Sequence, residues 1–197
     1  MSDTKVRSMR ETFKENYKPV RIPARNKKGY KIEYVYIGKW YGWKEDRAVV
    51  RHVKAAAAAA LILSVLLYLY AALLNVPLNW SKLVSMMGLL SLAPLLFLVI
   101  GMVQFLVSRE KFTEQDYKDM NVKLHVAPVL HGGLLLACGI SGIAEMAGIA
   151  ETAGIAEMAG GAGMNALPAC TGYLLSGAAS LMILFIYRRL HHRIIEQ

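Results

Sequence analysis

Twenty consecutive residues without a charged side chain, Ala55–Leu74, constrain the fold of this chain more than any other feature. A helix rises about 1.5 Å per residue, so this stretch is about 30 Å long, which matches the hydrocarbon core of a bilayer. Soluble domains rarely contain an uninterrupted apolar block of that length. The sequence therefore predicts a membrane-spanning helix here.

Three further apolar stretches predict a mainly α, polytopic membrane protein whose transmembrane domain occupies residues 44–197. The four predicted spans are 55–74, 83–107, 126–143 and 166–187. Pro77 and Trp80 lie in the short connection between the first two spans. Proline breaks helices and tryptophan favours the membrane interface, so this connection is predicted to be a tight turn outside the membrane.

Lysine and arginine are segregated along the chain, whose net charge is +9. Fifteen of the 23 lie in residues 1–54, four in 108–125 and three in 188–197. Lys82 is the remaining one. Such segregation is typical of cytoplasmic segments, so we expect both termini in the cytoplasm and an integral protein of a prokaryotic cytoplasmic membrane. The lipid bilayer accounts for the basic charge, which disfavours nucleic acid as a partner.

Residues 1–43 form a basic arm that contains a predicted β-hairpin. Aromatic and β-branched residues alternate along the second strand, as is typical of strands. One of its faces consists of Tyr30, Ile32, Tyr34 and Tyr36. Asn26 and Gly29 are suited to the turn. A lone hairpin is marginally stable in water, so it must pack on the membrane, on the helix ends or on a partner.

An aromatic cluster flanked by lysines follows the hairpin. Its rings favour a membrane interface or internal packing, and they also suit the anchor of a protein contact. The candidate partner-binding residues are therefore Tyr34, Tyr36, Trp40, Tyr41 and Trp43. No helix breaker follows Lys44, so the first span is predicted to continue from a helix that begins near this residue.

The connection between the second and third spans contains a helix-start pattern. Thr113 followed by Asp116 predicts an N-cap, because the threonine hydroxyl can accept a hydrogen bond from a free backbone N–H. We expect the new helix to run through Pro128, with a bend, into the third span. The glycines of this span permit close helix packing in lipid.

Three residues inside the spans are the candidates for a pore or an internal polar contact. They are Pro94, Gln104 and His131. Proline inside a span predicts a kink, and an ionisable side chain inside a span is a functional hypothesis by default. No carboxylate lies in a predicted span, which disfavours a proton-coupled transporter based on Asp or Glu.

Histidines also lie at the inner ends of the predicted spans, where they could form an interfacial cluster: His52, His125 and His191. Their spacing gives no metal signature, so we expect no catalytic, cofactor or metal site. Cys138 and Cys170 both fall inside spans. A disulfide needs Cα atoms within about 7 Å, so buried thiols are the favoured interpretation unless the helices bring the two together.

The hexad Ile-Ala-Glu-Met-Ala-Gly occurs three times between Ile143 and Gly160, with threonine in place of methionine in the second copy. A period of six does not match the helical turn, so the three glutamates would not form one stripe on a helix. We interpret residues 143–164 as a low-complexity extracytoplasmic loop, partly helical or flexible. The absence of lysine and arginine agrees with this location.

These features favour a non-enzymatic accessory or assembly subunit, which binds another membrane or cytoplasmic protein through its arm and its helix faces. No nucleotide, hydrolase or metalloprotease motif is present. One alternative is an oligomeric channel or transporter subunit that uses the polar intramembrane residues and forms by self-association. The other is a membrane-embedded enzyme that modifies lipids through the interfacial histidines.

Overall fold

The computed structural model describes residues 15–25, 29–153 and 156–195, and for residues 145–153 and 156–165 it describes the backbone alone. Four long helices dominate this part of the chain. They are α1, Arg47–Leu73; α2, Lys82–Val107; α3, Glu114–Ala153; and α4, Ala156–Tyr187. Each is long and apolar enough to span a membrane, which confirms the predicted mainly helical class.

The predicted hairpin is present. Strand β1, Tyr17–Pro23, pairs antiparallel with β2, Tyr30–Tyr36, so that the first residue of β1 lies opposite the last residue of β2. Gly29 has a φ of 69°, a left-handed conformation that glycine adopts without steric cost. The other predicted turn residue, Asn26, lies outside the described residues.

A second sheet, which the sequence did not predict, joins distant segments at one end of the bundle. Its strands are β3, Trp40–Trp43; β4, Lys111–Thr113; and β5, His192–Ile195. β3 is the central strand and is antiparallel to both neighbours. Because β3 precedes α1, β4 connects α2 to α3 and β5 follows α4, this sheet holds the ends of all four helices together.

The order of the helices in space is α1, α4, α3, α2, because α1 and α2 contact each other far less than either contacts its other neighbour. Glycines allow this close packing. A Cβ on Gly132 would lie 2.9 Å from the carbonyl oxygen of Gly177, and a Cβ on Gly177 would lie 2.8 Å from that of Gly132. The backbones of α3 and α4 are therefore in direct contact.

Small residues also join α4 to α1. A Cβ on Gly172 would lie 2.8 Å from the Cβ of Ala71. One turn further along α4, the Ser64 hydroxyl donates to the Ser176 carbonyl at 3.0 Å, and the Ser176 hydroxyl donates to the Ser64 carbonyl at 2.7 Å. Both serines are fully buried. These two hydrogen bonds fix the register of α1 on α4, since buried hydroxyls have no water to replace their partners.

The six alanines of α1, Ala55–Ala60, form a packing surface on one side only. Ala57 and Ala60 are buried in the core at the sheet end of the bundle, and Ala58 is half-buried. The other three are exposed. The expected packing surface is therefore narrower than the alanine run, because only one stripe of a helix can face its neighbours.

The short connection between α1 and α2 is a tight turn, as predicted. It forms a 3-10 helix over Pro77–Trp80. The side-chain amide of Asn79 donates to the carbonyls of Ala71 and Leu74, both at 2.8 Å. Its oxygen accepts a hydrogen bond from the Tyr173 hydroxyl at 2.9 Å. One asparagine thus satisfies carbonyls that the end of α1 leaves free and ties the turn to α4.

The predicted N-cap of α3 is confirmed. The Thr113 hydroxyl accepts a hydrogen bond from the Asp116 N–H at 3.2 Å and donates to the Asp116 carboxylate at 2.7 Å. α3 then continues through Pro128, so the third predicted span is one part of a much longer helix.

The hexad repeat is helical where its backbone is described. Residues 143–153 complete α3 and residues 156–164 begin α4, so the helical part of the predicted loop is larger than its period of six suggests. Alanine, glutamate and methionine are strong helix formers, and they outnumber the glycines of each hexad. Its extracytoplasmic location stays a prediction.

Candidate functional site

Trp43 lies at the centre of an aromatic core beneath the three-stranded sheet. It is 9% exposed. Its ring centroid lies 5.7 Å from that of Phe105, 5.1 Å from that of Phe112 and 6.4 Å from that of Tyr187. Because these three residues belong to α2, β4 and α4, one indole joins β3 to three elements that are distant from it in sequence.

A second aromatic contact joins β3, α3 and β5. The ring of Tyr41 stacks on that of Tyr117, with centroids 4.9 Å apart and planes inclined by 4°. The imidazole of His192 lies 4.3 Å from the Tyr117 ring, and its Nδ1 is 2.8 Å from the Tyr117 hydroxyl. This contact attaches the last strand to the first turns of α3.

Glu45 and His191 form a further link, between the segment that joins β3 to α1 and the segment that joins α4 to β5. The Glu45 carboxylate accepts hydrogen bonds from the backbone N–H of His191 at 2.8 Å and from its Nδ1 at 2.9 Å. Burial raises the pKa of the Glu45 carboxyl, but the two hydrogen bonds from His191 more than offset this effect, so its pKa lies below the ordinary value. The carboxylate is an acceptor only, and Nδ1 of His191 therefore carries the proton.

A cavity of about 330 Å³ opens beside these contacts. Most of its polar lining comes from Tyr117, His125, Tyr187, Arg188, His191 and His192. Trp43 forms part of the wall, and its Nε1 is buried without a hydrogen-bond partner among the described residues. No carboxylate lines the cavity. Its wall is thus built from aromatic and imidazole rings, the Asn121 amide and one guanidinium.

The structure brings together only part of the predicted histidine cluster. His125 and His191 both line the cavity, whereas His52 is exposed on α1 and does not. His192 takes the third place, and sequence reasoning missed it. The one available signal was its position before Ile194 and Ile195, whose β-branched side chains favour a strand.

Tyr36 anchors the hairpin to the helical bundle. Its hydroxyl accepts a hydrogen bond from the backbone N–H of Glu114 at 3.1 Å and donates to the carbonyl of Lys39 at 2.9 Å. Its ring packs edge-on against Trp40, with centroids 5.1 Å apart. The root of the hairpin is therefore fixed at the first residue of α3.

The five predicted partner-binding residues differ in how far the fold itself uses them. Trp43 is buried. Tyr36, Trp40 and Tyr41 are half-buried in the ring contacts and strand pairs described above. Tyr34 is 56% exposed on the hairpin. The surface left for another molecule is thus the hairpin rather than Trp43, and partner binding stays a prediction.

Of the predicted intramembrane polar residues, His131 is fully buried. Its Nδ1 lies 3.0 Å from the Ser91 carbonyl, which can only accept, so Nδ1 donates. Its Nε2 has no partner among the described residues. Ser91 lies one turn before Pro94, where the proline removes a helical hydrogen bond. The carbonyl that Pro94 leaves without a helical donor is that of Leu90, so the contact with Ser91 holds α3 against the adjacent part of α2 and does not replace the lost hydrogen bond.

Gln104, the third pore candidate, belongs to a different contact. Its amide donates to the Asp119 carboxylate at 2.8 Å, and its oxygen accepts from Lys123 at 3.3 Å. It is exposed on α2, nearly three helical turns from Pro94. The structure thus does not bring the three candidates to one site, and a pore stays a prediction.

Cys138 and Cys170 are both buried thiols and are not joined by a disulfide. Across the part of the chain that the structure describes, no group of three His, Cys, Asp or Glu side chains is arranged to hold a metal ion. A comparison with protein families, curated proteins and solved structures finds no match for this chain.

Proposed function

We propose that this protein is an integral membrane subunit, with both termini in the cytoplasm, that binds or assembles with a partner protein without catalysing a reaction. Its principal binding surface is the β1–β2 hairpin, assisted by exposed helix faces. The observation that carries this proposal is the exposure of the hairpin along its length, beyond the root that Tyr36 fixes to the bundle.

Apolar side chains lie on both faces of the hairpin. Ile32 and Tyr34 share one face and are 49% and 56% exposed. Val20 and Val35 share the other face and are 39% and 46% exposed. A two-stranded sheet with both faces in water is marginally stable, and burial of these side chains against a partner would remove apolar surface from water.

The edges of the hairpin differ in their capacity to accept another strand. Pro19 and Pro23 interrupt β1 and lack a backbone N–H. β2 contains no proline, and in the described part of the chain its outer edge pairs with no strand. An open, proline-free edge is suited to strand addition. A partner segment in extended conformation therefore fits along β2.

The charge distribution supports the proposed orientation. The segments that form the three-stranded sheet precede α1, connect α2 to α3 and follow α4. In the sequence, 22 of the 23 lysines and arginines lie in or beside these segments, and Lys82 alone lies at the other end of α2. Positive charge concentrated at one end of a helical bundle favours a cytoplasmic location of that end.

Affinity purification of the full chain in mild detergent tests the proposal. The wild type is compared with Ile32→Glu on the hairpin and with Ile194→Glu on β5. These two isoleucines are 49% and 53% exposed, so the same charge is placed on each sheet at similar exposure. We expect a stoichiometric partner protein with the wild type and with Ile194→Glu, and its loss with Ile32→Glu.

The purified partner must also rebind the purified chain with the same dependence on Ile32. A partner that both glutamate variants retain would contradict the role of the hairpin. A homo-oligomer without a foreign partner, which conducts ions in liposomes and loses conduction in His131→Ala, would instead support the pore.

A further inference from the structure

The cavity beside Trp43 lies where the apolar part of α4 gives way to charged residues. Tyr187 is the last residue of α4 and Arg188 follows it, and both line the cavity. In a helix that crosses a bilayer, such a boundary lies at the level of the lipid headgroups, where aromatic and basic side chains are common. The cavity is thus placed where phosphate groups are abundant.

Three imidazoles of the cavity are held in the same way. His125 is held through Nδ1 by a backbone carbonyl of its own helix at 2.8 Å. His191 is held through Nδ1 by Glu45 at 2.9 Å, and His192 through Nδ1 by Tyr117 at 2.8 Å. The Nε2 atoms of all three make no hydrogen bond to a described residue. Each ring is therefore oriented by the protein and keeps one nitrogen for a ligand.

Arg188 supplies a permanent positive charge, and its guanidinium pairs with no described carboxylate. No Asp or Glu lines the cavity, so the guanidinium of Arg188 is its one permanent charge, and this favours an anion. A metal ion is not the expected ligand, because the described residues offer no metal-binding group of three.

We infer that this cavity binds a phosphate group, carried by a lipid headgroup or by a small soluble phosphate ester. A guanidinium matches two phosphate oxygens at once, and Nε2 of His192 donates to the same group in the tautomer whose Nδ1 accepts from the Tyr117 hydroxyl. Ligand sites have volumes of roughly 300–1,000 Å³, so about 330 Å³ suits a headgroup rather than acyl chains. This site is independent of the hairpin and of its proposed partner.

The test compares Arg188→Gln with Arg189→Gln in the full chain, purified in mild detergent. Both substitutions remove one positive charge from the same segment, but only Arg188 lines the cavity. Glycerol 1-phosphate is titrated by calorimetry, and bound phosphatidic acid is counted by native mass spectrometry. We expect Arg188→Gln to weaken binding about tenfold or more, and Arg189→Gln to change it less than about twofold.

A second variant, His192→Gln, is expected to weaken binding as well, so the conclusion does not depend on a single substitution. Tryptophan fluorescence, to which the buried Trp43 contributes, reports whether each variant keeps its core. Binding of glycerol 1-phosphate supports a soluble ester as a ligand, and binding of phosphatidic acid alone supports a headgroup. The inference is overturned if the wild type binds neither probe, or if both arginine variants weaken binding equally.

Discussion

The two small sheets lie at the same end of the bundle, yet they differ in what they bury. The β1–β2 hairpin is exposed along its length, whereas β3 and β4 bury Trp43 and Phe112. The strands of the hairpin are neighbours in sequence, but β3 pairs with strands about 70 and 150 residues later. Distant pairing carries a larger loop-closure entropy, which the buried rings must offset. One sheet holds the helix ends together, and the other is exposed.

The largest expected difference between the two sheets concerns Trp43. Trp43→Ala removes the indole that joins α2, β4 and α4, and loss of a buried tryptophan costs about 3–5 kcal/mol. Denaturation in detergent, followed by helical circular dichroism, measures this loss. Trp80→Ala is the control, since Trp80 is 76% exposed and its removal should change stability by less than about 0.5 kcal/mol. Equal losses of stability in the two variants would show that the contacts of Trp43 do not stabilise the fold.

Glycines give a second comparison of the sheets. A Cβ on Gly42 of β3 would lie 2.8 Å from the Glu110 carbonyl oxygen and 2.8 Å from Cδ1 of Ile195, so Gly42→Ala should destabilise the bundle by about 1–3 kcal/mol. Gly29→Ala strains the left-handed turn of the hairpin alone. Its cost should appear in hydrogen exchange of β1 and β2 and leave bundle unfolding unchanged. A shift in bundle unfolding with Gly29→Ala would show that the two sheets are coupled.

The Glu45–His191 contact makes the stability of the three-stranded sheet depend on pH. The pKa of Glu45 is lowered in the folded chain, so its contribution is present above the pKa of the unfolded chain and is lost as the pH falls through the folded value. Glu45→Gln should therefore destabilise the protein by about 1 kcal/mol at pH 7, and the difference from wild type should vanish below about pH 4. Unfolding curves of both proteins across this range test the sign. A difference that grows towards acid would contradict it.

The smallest effect is expected on the hairpin. Ile32→Ala removes an exposed side chain and should change the unfolding free energy by less than about 0.5 kcal/mol, because it leaves no cavity. Chemical denaturation measures this change, and the loss of unfolding free energy in Trp43→Ala provides the scale. A loss above about 1 kcal/mol would mean that the hairpin already packs on the bundle, and this would leave it less surface for a partner.

Local patterns in the sequence predicted the features that local interactions build. The alternation along Tyr30–Tyr36, the Thr113 cap and the apolar stretches each depend on a few neighbouring residues, and the structure contains all three. The repeat is more helical than predicted where its backbone is described. The helix propensity of its alanine, glutamate and methionine residues outweighs the mismatch between a period of six and the helical turn.

The candidate site was less predictable, because its parts come from distant segments. β4 and β5 have three and four residues, too few to show a period, and only their pairing with β3 makes them strands. The sequence left Trp43 open between interface, partner contact and internal packing, since only the fold brings Phe112 and Tyr187 beside it. His192 was missed for the same reason, as its role depends on Tyr117.

The central position of β3 has a consequence for how the protein is made. Translation is directional, so β3 and α1 leave the ribosome long before β5 and α4, which are their principal neighbours. Until β5 has been synthesised, the three-stranded sheet that joins the helix ends cannot be completed. The contacts of Trp43 with Tyr187 and of Ser64 with Ser176 therefore form only after the last helix has been synthesised.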